Sequence, residues 1–429
     1  MMSTHVSHVS PRSPFVFTVL LSALLLAAGC GNSPTSPTDS SPPTSAGPRT
    51  YYVAANEPGA DNTRCDGLAP RDEGSNRCPF RDFRSPRTAA LLRGVASVRV
   101  EVRSGTYTFV GEGLSLDSTA RSASETIVLA AYAGEQPVFD GEEQWNGTVR
   151  VSGQYASVEG MTFVRGGGAN LEVRGGRFVR IAGNRFLSNR SSDSLKGSGG
   201  AQDVEIRNNE FTRWDSQAID MTQSGRWTIA DNTFHDPSQP RAKAIGAKFG
   251  SRDITISGNT IRAAGGVALG GTSAAHSDNY EALNVVVQGN RFESIGGHVA
   301  TFYSCVGCRF VDNTIDRAER GVRLGGVGIE GPSGCAGGCQ PTRDATINGN
   351  RLRELSGDGE APSGLFWLAE SSERQGLTAA NNVYCVMPGQ EARFAFAGGM
   401  LGFADWVRGV QTDSSSTVAP SADAPCQGW

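Results

Sequence analysis

The sequence predicts an all-β solenoid, in which short strands from successive coils stack along one axis. The 429 residues include 55 glycines and only 19% charged residues, a composition more typical of turn-rich β chains than of helical bundles. A hydrophobic share of 38% supplies the side chains of a packed core. One eight-residue pattern also recurs between residues 156 and 384, and repeats of 20–50 residues indicate stacked architectures.

The recurring pattern is apolar, any, apolar, any, any, Asn, any, apolar. It occurs as VRIAGNRF (179–186), VEIRNNEF (204–211), WTIADNTF (227–234), ITISGNTI (254–261), VVVQGNRF (285–292), CRFVDNTI (308–315) and ATINGNRL (345–352). LTAANNVY (377–384) is a weaker copy, and ASVEGMTF (156–163) carries Met161 in place of the asparagine. The steps between the eight asparagines are 25, 23, 27, 31, 23, 37 and 32 residues.

Alternation of apolar and polar residues predicts a strand in each copy. The asparagine follows where the chain turns, and a short amide there tolerates a left-handed conformation. Stacking would place the asparagines one strand spacing apart, where they can form an amide ladder. A leucine-rich repeat also ends its strand with asparagine, but it requires a nearly constant period and mostly leucine in the core. Valine, isoleucine and phenylalanine at the core positions favour a parallel β-helix with three short strands per coil.

Residues 51–429 resemble the right-handed parallel β-helix proteins typified by pectate lyases. The resemblance rests on the repeat and on the opening segments Tyr51–Val53, Pro79-Phe80 and Ser104–Tyr107. It implies an all-β, single-stranded right-handed parallel β-helix (solenoid) with capped ends. We expect residues 87–94 to form an amphipathic capping helix. The segment 401–406, followed by Asp413, resembles the terminal segment of such proteins and is expected to close the other end.

The beginning of the chain predicts export. Residues 14–29 form an apolar run of signal-peptide length, and Leu26–Cys30 resembles the lipobox of bacterial lipoproteins. The resemblance implies cleavage of a 1–29 signal peptide and lipidation of Cys30, with 30–50 as a Ser/Thr/Pro-rich tether. The protein would then be anchored to the cell envelope, at the outer membrane in a Gram-negative host. Ordinary signal cleavage beside an incidental cysteine, giving an extracellular protein, is the alternative.

Eight further cysteines suggest disulfides in an oxidising compartment. Their spacing favours four local pairs: Cys65 with Cys78, Cys305 with Cys308, Cys335 with Cys339, and Cys385 with Cys426. The alternative is that Cys305 and Cys308, with Cys335 and Cys339, form a zinc knuckle or a redox CxxC.

The lysines single out one region of the chain. Only three of the 39 basic residues are lysine (Lys196, Lys243 and Lys248), and all lie within 53 residues. A lysine loses its proton on burial far more readily than an arginine and can then act as a base. Alignment of successive coils makes Lys196 an outward neighbour of Asp220, with Lys248 one outward step along the next coil. The alternative is a chance cluster on a solvated face, with an ordinary Lys–Asp ion pair.

The resemblance implies an acidic polysaccharide or other glycan as partner and, as activity, β-elimination of a uronate. Lyases of this fold use a base, in several families a lysine, and neutralise the uronate carboxylate with calcium or arginine. The residues assigned to these roles are catalytic Lys248, Lys196, Arg252 and His235; substrate-binding Asp220, Lys243 and His276; and calcium-binding Asp193, Asp215 and Asp220. The paired aspartates expected of calcium-dependent pectate lyases are absent.

Other functions remain open at this point. The net charge of −4 and pI near 5.8 argue against nucleic-acid binding, which needs clustered positive charge. We expect a monomer whose only membrane contact is the lipid on Cys30. A non-catalytic carbohydrate-binding or adhesive solenoid is one alternative to the lyase. A glycoside hydrolase that uses Asp193, Asp215 and Asp220 is another.

Overall fold

The computed structural model describes residues 48–94, 97–109, 113–143, 148–189, 192–271, 277–325, 339–355, 365–369, 371–386, 391–420 and 423–427. The predicted signal peptide, Cys30 and nearly all of the tether lie outside the described residues, as do His276 and Cys335. No helix in the described part of the chain is both long enough and apolar enough to cross a bilayer.

Short strands dominate the described residues. Those that begin before residue 200 are β1 (Arg49–Val53), β2 (Arg93–Gly94), β3 (Val98–Val102), β4 (Thr106–Thr108), β5 (Leu114–Ser118), β6 (Ile127–Ala131), β7 (Val138–Asp140), β8 (Val149–Val151), β9 (Gln154–Glu159), β10 (Thr162–Val164), β11 (Leu171–Arg174), β12 (Arg177–Ala182), β13 (Arg185–Phe186) and β14 (Leu195–Ser198). Those between 200 and 290 are β15 (Gln202–Arg207), β16 (Glu210–Thr212), β17 (Gln217–Thr222), β18 (Gly225–Ala230), β19 (Thr233–His235), β20 (Lys243–Lys248), β21 (Ser251–Arg252), β22 (Thr255–Ser257), β23 (Thr260–Arg262), β24 (Gly265–Leu269), β25 (Ala282–Leu283) and β26 (Val286–Gln288). The remainder are β27 (Arg291–Phe302), β28 (Cys305–Val306), β29 (Arg309–Val311), β30 (Thr314–Leu324), β31 (Thr346–Asn348), β32 (Arg351–Leu355), β33 (Phe366–Leu368), β34 (Thr378–Ala380), β35 (Val383–Val386), β36 (Phe394–Phe396), β37 (Gly399–Leu401) and β38 (Thr417–Pro420).

The strands form three parallel faces around one core, as the repeat predicts. The first sheet runs β1-β3-β6-β9-β12-β15-β18-β22-β26-β29-β31-β34. The second contains β4, β7, β10, β13, β16, β19, β23, β32, β35 and β38, and the third β2, β5, β8, β11, β14, β17, β20, β24, β33 and β36. The long strands β27 and β30 continue from the second sheet into the third. The predicted parallel β-helix with three strands per coil is confirmed.

The eight repeat asparagines form the predicted amide ladder. Each is at most 2% exposed, and its Nδ2 donates to the Oδ1 of the next at 2.9–3.1 Å, from Asn184 to Asn382. The backbone N–H of Met161, where the repeat lacks an asparagine, donates to Asn184 Oδ1 at 2.9 Å. The ladder thus supplies partners for buried polar groups at the turn, where a lost hydrogen bond is costly.

The left-handed residue at this turn is not the ladder asparagine, contrary to the expectation above. It is the residue before it, which has φ between +54° and +66° in all eight coils. That position holds only glycine, asparagine or aspartate, the residue types that adopt this conformation at least cost. These residues are Gly183, Asn208, Asp231, Gly258, Gly289, Asp312, Gly349 and Asn381.

The last residue of the pattern fills the core with stacked aromatic rings. Phe163, Phe186, Phe211 and Phe234 lie on consecutive coils with ring centroids 4.6–4.9 Å apart. All four are fully buried, and burying each phenylalanine contributes about 2–3 kcal/mol relative to an exposed side chain. The inward side chains are therefore committed to stability, and function must lie on the outer faces.

Both ends of the solenoid are covered. The N-terminal helix α1 is shorter than the predicted 87–94: it spans Pro86–Ala90, because the chain enters β2 at Arg93 and pairs with β5. At the C-terminus the helix α2 (Phe403–Val410) buries Trp406. Asp413 then ends the ladder, accepting hydrogen bonds from Asn382 Nδ2 (3.2 Å), the Tyr384 hydroxyl (2.8 Å) and Trp406 Nε1 (3.1 Å).

Three of the four predicted disulfides are formed. Cys65 is bonded to Cys78, Cys305 to Cys308, and Cys385 to Cys426. Cys339 is also disulfide-bonded, while its predicted partner Cys335 lies outside the described residues. The bond between Cys305 and Cys308 leaves no thiolates there for a zinc knuckle.

Candidate functional sites on the third sheet

The third sheet carries one outward row of polar residues along its strands. In register, this row reads Ser115, Arg150, Glu172, Lys196, Asp220, Gly246, Ala268, Thr301, Arg323 and Trp367. Adjacent members lie one strand spacing apart, about 4.8 Å. Residues up to 250 positions apart in sequence thus share one wall.

The predicted cluster of lysines and aspartates is assembled on this wall. Lys196 Nζ lies 3.2 Å from Asp193 Oδ2 and 3.0 Å from Asp220 Oδ2. Lys248 Nζ, from the next coil, lies 3.0 Å from Asp220 Oδ1, at ion-pair distance but without hydrogen-bond angles. We call Asp193, Lys196, Asp220 and Lys248 the lysine site.

The lysine site presents its cations to solvent and buries its anions. The side chains of Lys196 and Lys248 are 35% and 22% exposed, whereas those of Asp193 and Asp220 are 6% and 3% exposed. Burial would lower the pKa of Lys196, but the carboxylates of Asp220 and Asp193 outweigh it and raise that pKa. Burial and the neighbouring Asp220 raise the pKa of Asp193. Lys196 therefore stays protonated near neutral pH, which suits the binding of an anion better than the role of a base.

The lysine site does not fit the calcium ion suggested by the resemblance. The ammonium of Lys196 already contacts both Asp193 and Asp220, two of the three expected ligands. The third, Asp215, lies half-buried in the turn between β16 and β17 and pairs with neither lysine in the described part of the chain. The described residues contain no group of three His, Cys, Asp or Glu side chains placed to hold a metal ion.

Two other predicted catalytic residues belong to different faces. His235, on β19 of the second sheet, lies between Asp236 Oδ2 (2.8 Å) and Glu210 Oε1 (3.0 Å). Burial would lower the pKa of His235, but these two carboxylates raise it. Arg252, on β21 of the first sheet, pairs with Asp278 Oδ2 at 2.9 Å.

A second polar cluster, not found from the sequence, lies further along the same sheet. It contains His298, Thr301, Arg323 and Trp367, which we call the arginine site. The guanidinium carbon of Arg323 lies 4.7 Å from the ring centroid of Trp367 and 5.5 Å from that of Tyr303. The rings of His298 and Trp367 are 5.5 Å apart.

Several polar atoms of the arginine site are buried and have no hydrogen-bond partner in the part of the chain that the structure describes. They are Arg323 Nε and Nη2, Thr301 Oγ1 and His298 Nε2, on residues that are 8%, 2% and 6% exposed. Burial and the nearby cations Arg323, Lys243 and Arg320 lower the pKa of His298 to about 3. Lys243, predicted to bind substrate, therefore acts electrostatically on this site.

The repeat itself could have revealed the arginine site. The segments 299–302, 322–324 and 366–368 alternate buried and outward side chains in the same register as β14, β17 and β20. The coil before β27 and the coil after β30 carry long insertions, and the alignment from the lysines ended at β20, two coils before β27.

A cavity lies away from both the lysine site and the arginine site. It has a volume of about 660 Å³ and lies at the N-terminal end, against α1, β4 and β5. Its lining includes Phe83, Tyr107 and Ser115, and Ser115 lies three coils before Lys196 on the outward row.

The coils that carry the lysine site match a known protein family. The family described as "right handed beta helix region" matches residues 148–359. Together with the three parallel faces described above, this match identifies the fold of the chain as a right-handed parallel β-helix. The matched part of this β-helix protein contains the lysine site and most of the arginine site.

Solved structures of low sequence identity share the fold. The β-helix protein is similar to pectate lyase Pel9A, with 18% identity over 79% of this chain and 80% of that chain, at a TM-score of 0.44. It is also similar to endo-xylogalacturonan hydrolase from Aspergillus tubingensis (13% identity, 87% and 100% covered, TM-score 0.49). The periplasmic alginate epimerase AlgG is similar at 12% identity, 70% of each chain and a TM-score of 0.45. No curated protein sequence matches the chain.

Proposed function

We propose that this β-helix protein binds an acidic polysaccharide laid across the outer face of its third sheet, with the lysine site as one contact. The observation that carries the proposal is the arrangement of two partly exposed ammonium groups above two buried carboxylates. The ion pairs hold the lysine side chains in place, so an anionic ligand would not have to order them. The polar row extends over many coils, which suits an extended polymer.

Elimination of the bound uronate is the second candidate function. In that reaction a base removes the proton α to the carboxylate, and its electron pair forms the new C=C bond as the bond to the leaving sugar oxygen breaks. The raised pKa of Lys196 keeps its amine protonated near neutral pH, so it is rarely available to accept a proton. Lys248, which contacts one carboxylate oxygen, is the better candidate for that role.

Both functions can be tested in one experiment. The full-length protein is titrated calorimetrically with pectate, alginate and chondroitin, and absorbance of the unsaturated product is followed in parallel. We expect Lys196→Ala and Lys248→Ala each to weaken binding of the preferred polymer roughly three- to tenfold. Loss of product in Lys248→Ala alone, with binding retained, would assign the base.

Arg226→Ala serves as the matched control. Arg226 is an exposed cation on β18 of the first sheet, paired with Asp203 at 2.7 Å. If no uronate polymer binds, or if all three variants bind as the wild type does, the proposal is wrong.

We further propose that the protein is an exported lipoprotein cleaved before Cys30. The three disulfides between described cysteines support export, because such bonds persist in oxidising compartments. In host cells, we expect mass spectrometry to find a mature chain with a lipid-modified Cys30 in the wild type and an uncleaved signal peptide in Cys30→Ala. An unmodified Cys30 in the mature wild type, or cleavage at the same place in Cys30→Ala, would contradict lipidation at this residue.

A further inference from the structure

We propose that the arginine site is a binding subsite for the carboxylate of a sugar acid, separate from the lysine site. The binding role rests on this cluster's own geometry, and only the choice of a sugar as the carrier rests on the proposed function. The site requires no catalysis and no metal.

The buried donors of Arg323 are the first argument. Among the described residues Nε and Nη2 have no hydrogen-bond partner, although Arg323 is only 8% exposed. A buried charge without hydrogen-bonded partners is costly, so a fold retains one where a ligand supplies the missing acceptors. Adjacent N–H groups of a guanidinium match the two oxygens of a carboxylate in a planar, bidentate arrangement.

The surroundings hold Arg323 in place without using these donors. The rings of Trp367 and Tyr303 both lie within cation–π distance of the guanidinium. Trp367 and Tyr303 are themselves half-buried, so the rim of the site reaches solvent. The side chain is thus oriented before the ligand arrives, which reduces the entropy lost on binding.

Two neighbours extend the site beyond a single charge. Thr301 lies in register with Arg323 on the preceding coil, and its Oγ1 also lacks a partner. His298 Nδ1 lies 3.4 Å from the carbonyl oxygen of Gly321, so Nε2 is the acceptor in the tautomer that donates there. A free hydroxyl and a free ring nitrogen beside an arginine suit the hydroxyl groups of a sugar ring.

Electrostatics select an anion over a neutral sugar. His298 is uncharged, because its pKa is about 3, whereas Arg323, Arg320 and Lys243 are cations around it. Arg323 is therefore the charged group of the cluster whose own donors are left for a ligand. Two oxygens of a carboxylate fill the guanidinium fork, and a sugar acid carries that carboxylate beside the hydroxyl groups that suit Thr301 and His298, so a sugar acid is the assigned ligand.

One polymer can reach both sites. Between Asp220 and Thr301 the outward row holds Gly246 and Ala268, and the side chain of Gln217 covers Gly246, so the stretch between the two sites carries no charged member of the row. Arg323 lies four strand spacings from Asp220, roughly 19 Å along the axis. A chain of a few sugar units spans that distance.

The test uses short oligouronates (galacturonate, mannuronate and glucuronate trimers) titrated calorimetrically into the full-length protein. We expect at least one to bind, and Arg323→Gln to raise its Kd about tenfold or more, since a charge-assisted pair is lost. Arg323→Lys keeps the charge but not the fork and should fall between. Thr301→Val keeps the side-chain shape and loses no internal hydrogen bond, so it should fold normally and still bind at least threefold more weakly.

The controls are chemical as well as genetic. The methyl ester of the same trimer, which lacks the charge, should bind at least tenfold more weakly than the acid, and Arg226→Gln should bind as the wild type does. Equal binding of the ester, equal binding of a sulfated trimer, or unchanged binding in both Arg323→Gln and Thr301→Val would overturn the assignment.

Failure of this subsite is distinguishable from failure of the proposed function. If Lys196→Ala and Lys248→Ala weaken polymer binding while the Arg323 and Thr301 variants do not, only the subsite is wrong. If a trimer binds at Arg323 and no polymer binds, the subsite stands and the proposed function falls.

Discussion

Replacing Asn259 with alanine removes one interior rung of the amide ladder. Asn259 Oδ1 accepts from both the backbone N–H and Nδ2 of Asn232, at 2.9 and 3.0 Å. Its own Nδ2 donates to the carbonyl oxygen of Ile229 and to Asn290 Oδ1, both at 2.9 Å. The substitution breaks all four hydrogen bonds and leaves the backbone N–H of Asn232 buried without an acceptor.

The expected loss is large for a single polar residue. A buried group left without its partner costs about 1–3 kcal/mol, and two or more groups are affected here. We therefore expect Asn259→Ala to lower the free energy of unfolding by about 3–6 kcal/mol.

Urea unfolding, followed by circular dichroism, measures this loss. Asn348→Ala is the control. Asn348 ends β31 of the first sheet, two residues before a ladder asparagine, but it is partly exposed and its Oδ1 accepts one long hydrogen bond, from Asn381 Nδ2 at 3.3 Å. We expect a change below about 0.5 kcal/mol for the control. Equal losses in the two variants would refute a structural role for the ladder.

Three further predictions concern buried titratable groups. Because His298 is neutral when folded (pKa about 3) but takes up a proton near pH 6.5 when unfolded, it should cost the wild type about 3–5 kcal/mol of stability as pH falls from 6.5 to 3. His298→Gln should lack that loss in urea titrations across this range. For Asp193 the pH dependence runs the other way. Its pKa is raised on folding, so folding favours the protonated form and the stability of the wild type falls as pH rises above 3.8. The free energy of unfolding of Asp193→Asn should therefore increase relative to that of the wild type between pH 4 and 7. Asp413→Ala should lose about 3–5 kcal/mol at pH 7, because it leaves the buried donors of Tyr384 and Trp406 unpaired.

Each of these has a contrary outcome. Parallel stability curves for wild type and His298→Gln from pH 3 to 7 would mean that His298 titrates normally in the folded chain. A gain for Asp193→Asn that shrinks as pH rises would mean that the pKa of Asp193 is lowered. If Asp413→Ala lowers the free energy of unfolding by less than about 1 kcal/mol, Asp413 does not stabilise the C-terminal cap.

Sequence reasoning succeeded where one residue type recurs at a fixed place. The asparagines set the register of the coils, and that register correctly made Lys196 the neighbour of Asp220, with Lys248 in the same site. The left-handed position was misplaced by one residue. Its signal was present, since Gly183, Asn208 and their equivalents are all glycine, asparagine or aspartate.

Sequence reasoning failed for residues that are separated by a turn between two sheets. His235 and Arg252 are near the lysines in sequence, but each follows a turn and therefore belongs to another sheet. Arg323 and Trp367 are far apart in sequence but adjacent on the wall, because the intervening insertion does not alter the register. Separation in sequence therefore does not show which side chains are neighbours on the outer faces.

A crystal structure of the full-length protein with a bound uronate oligosaccharide tests most directly whether the third sheet is the glycan-binding face. We predict a sugar chain along β17, β20, β24, β27 and β30, with one carboxylate on Nε and Nη2 of Arg323 and another near Lys196 and Lys248. An oligosaccharide bound instead in the N-terminal cavity or on the first sheet, with both sites empty, would contradict it.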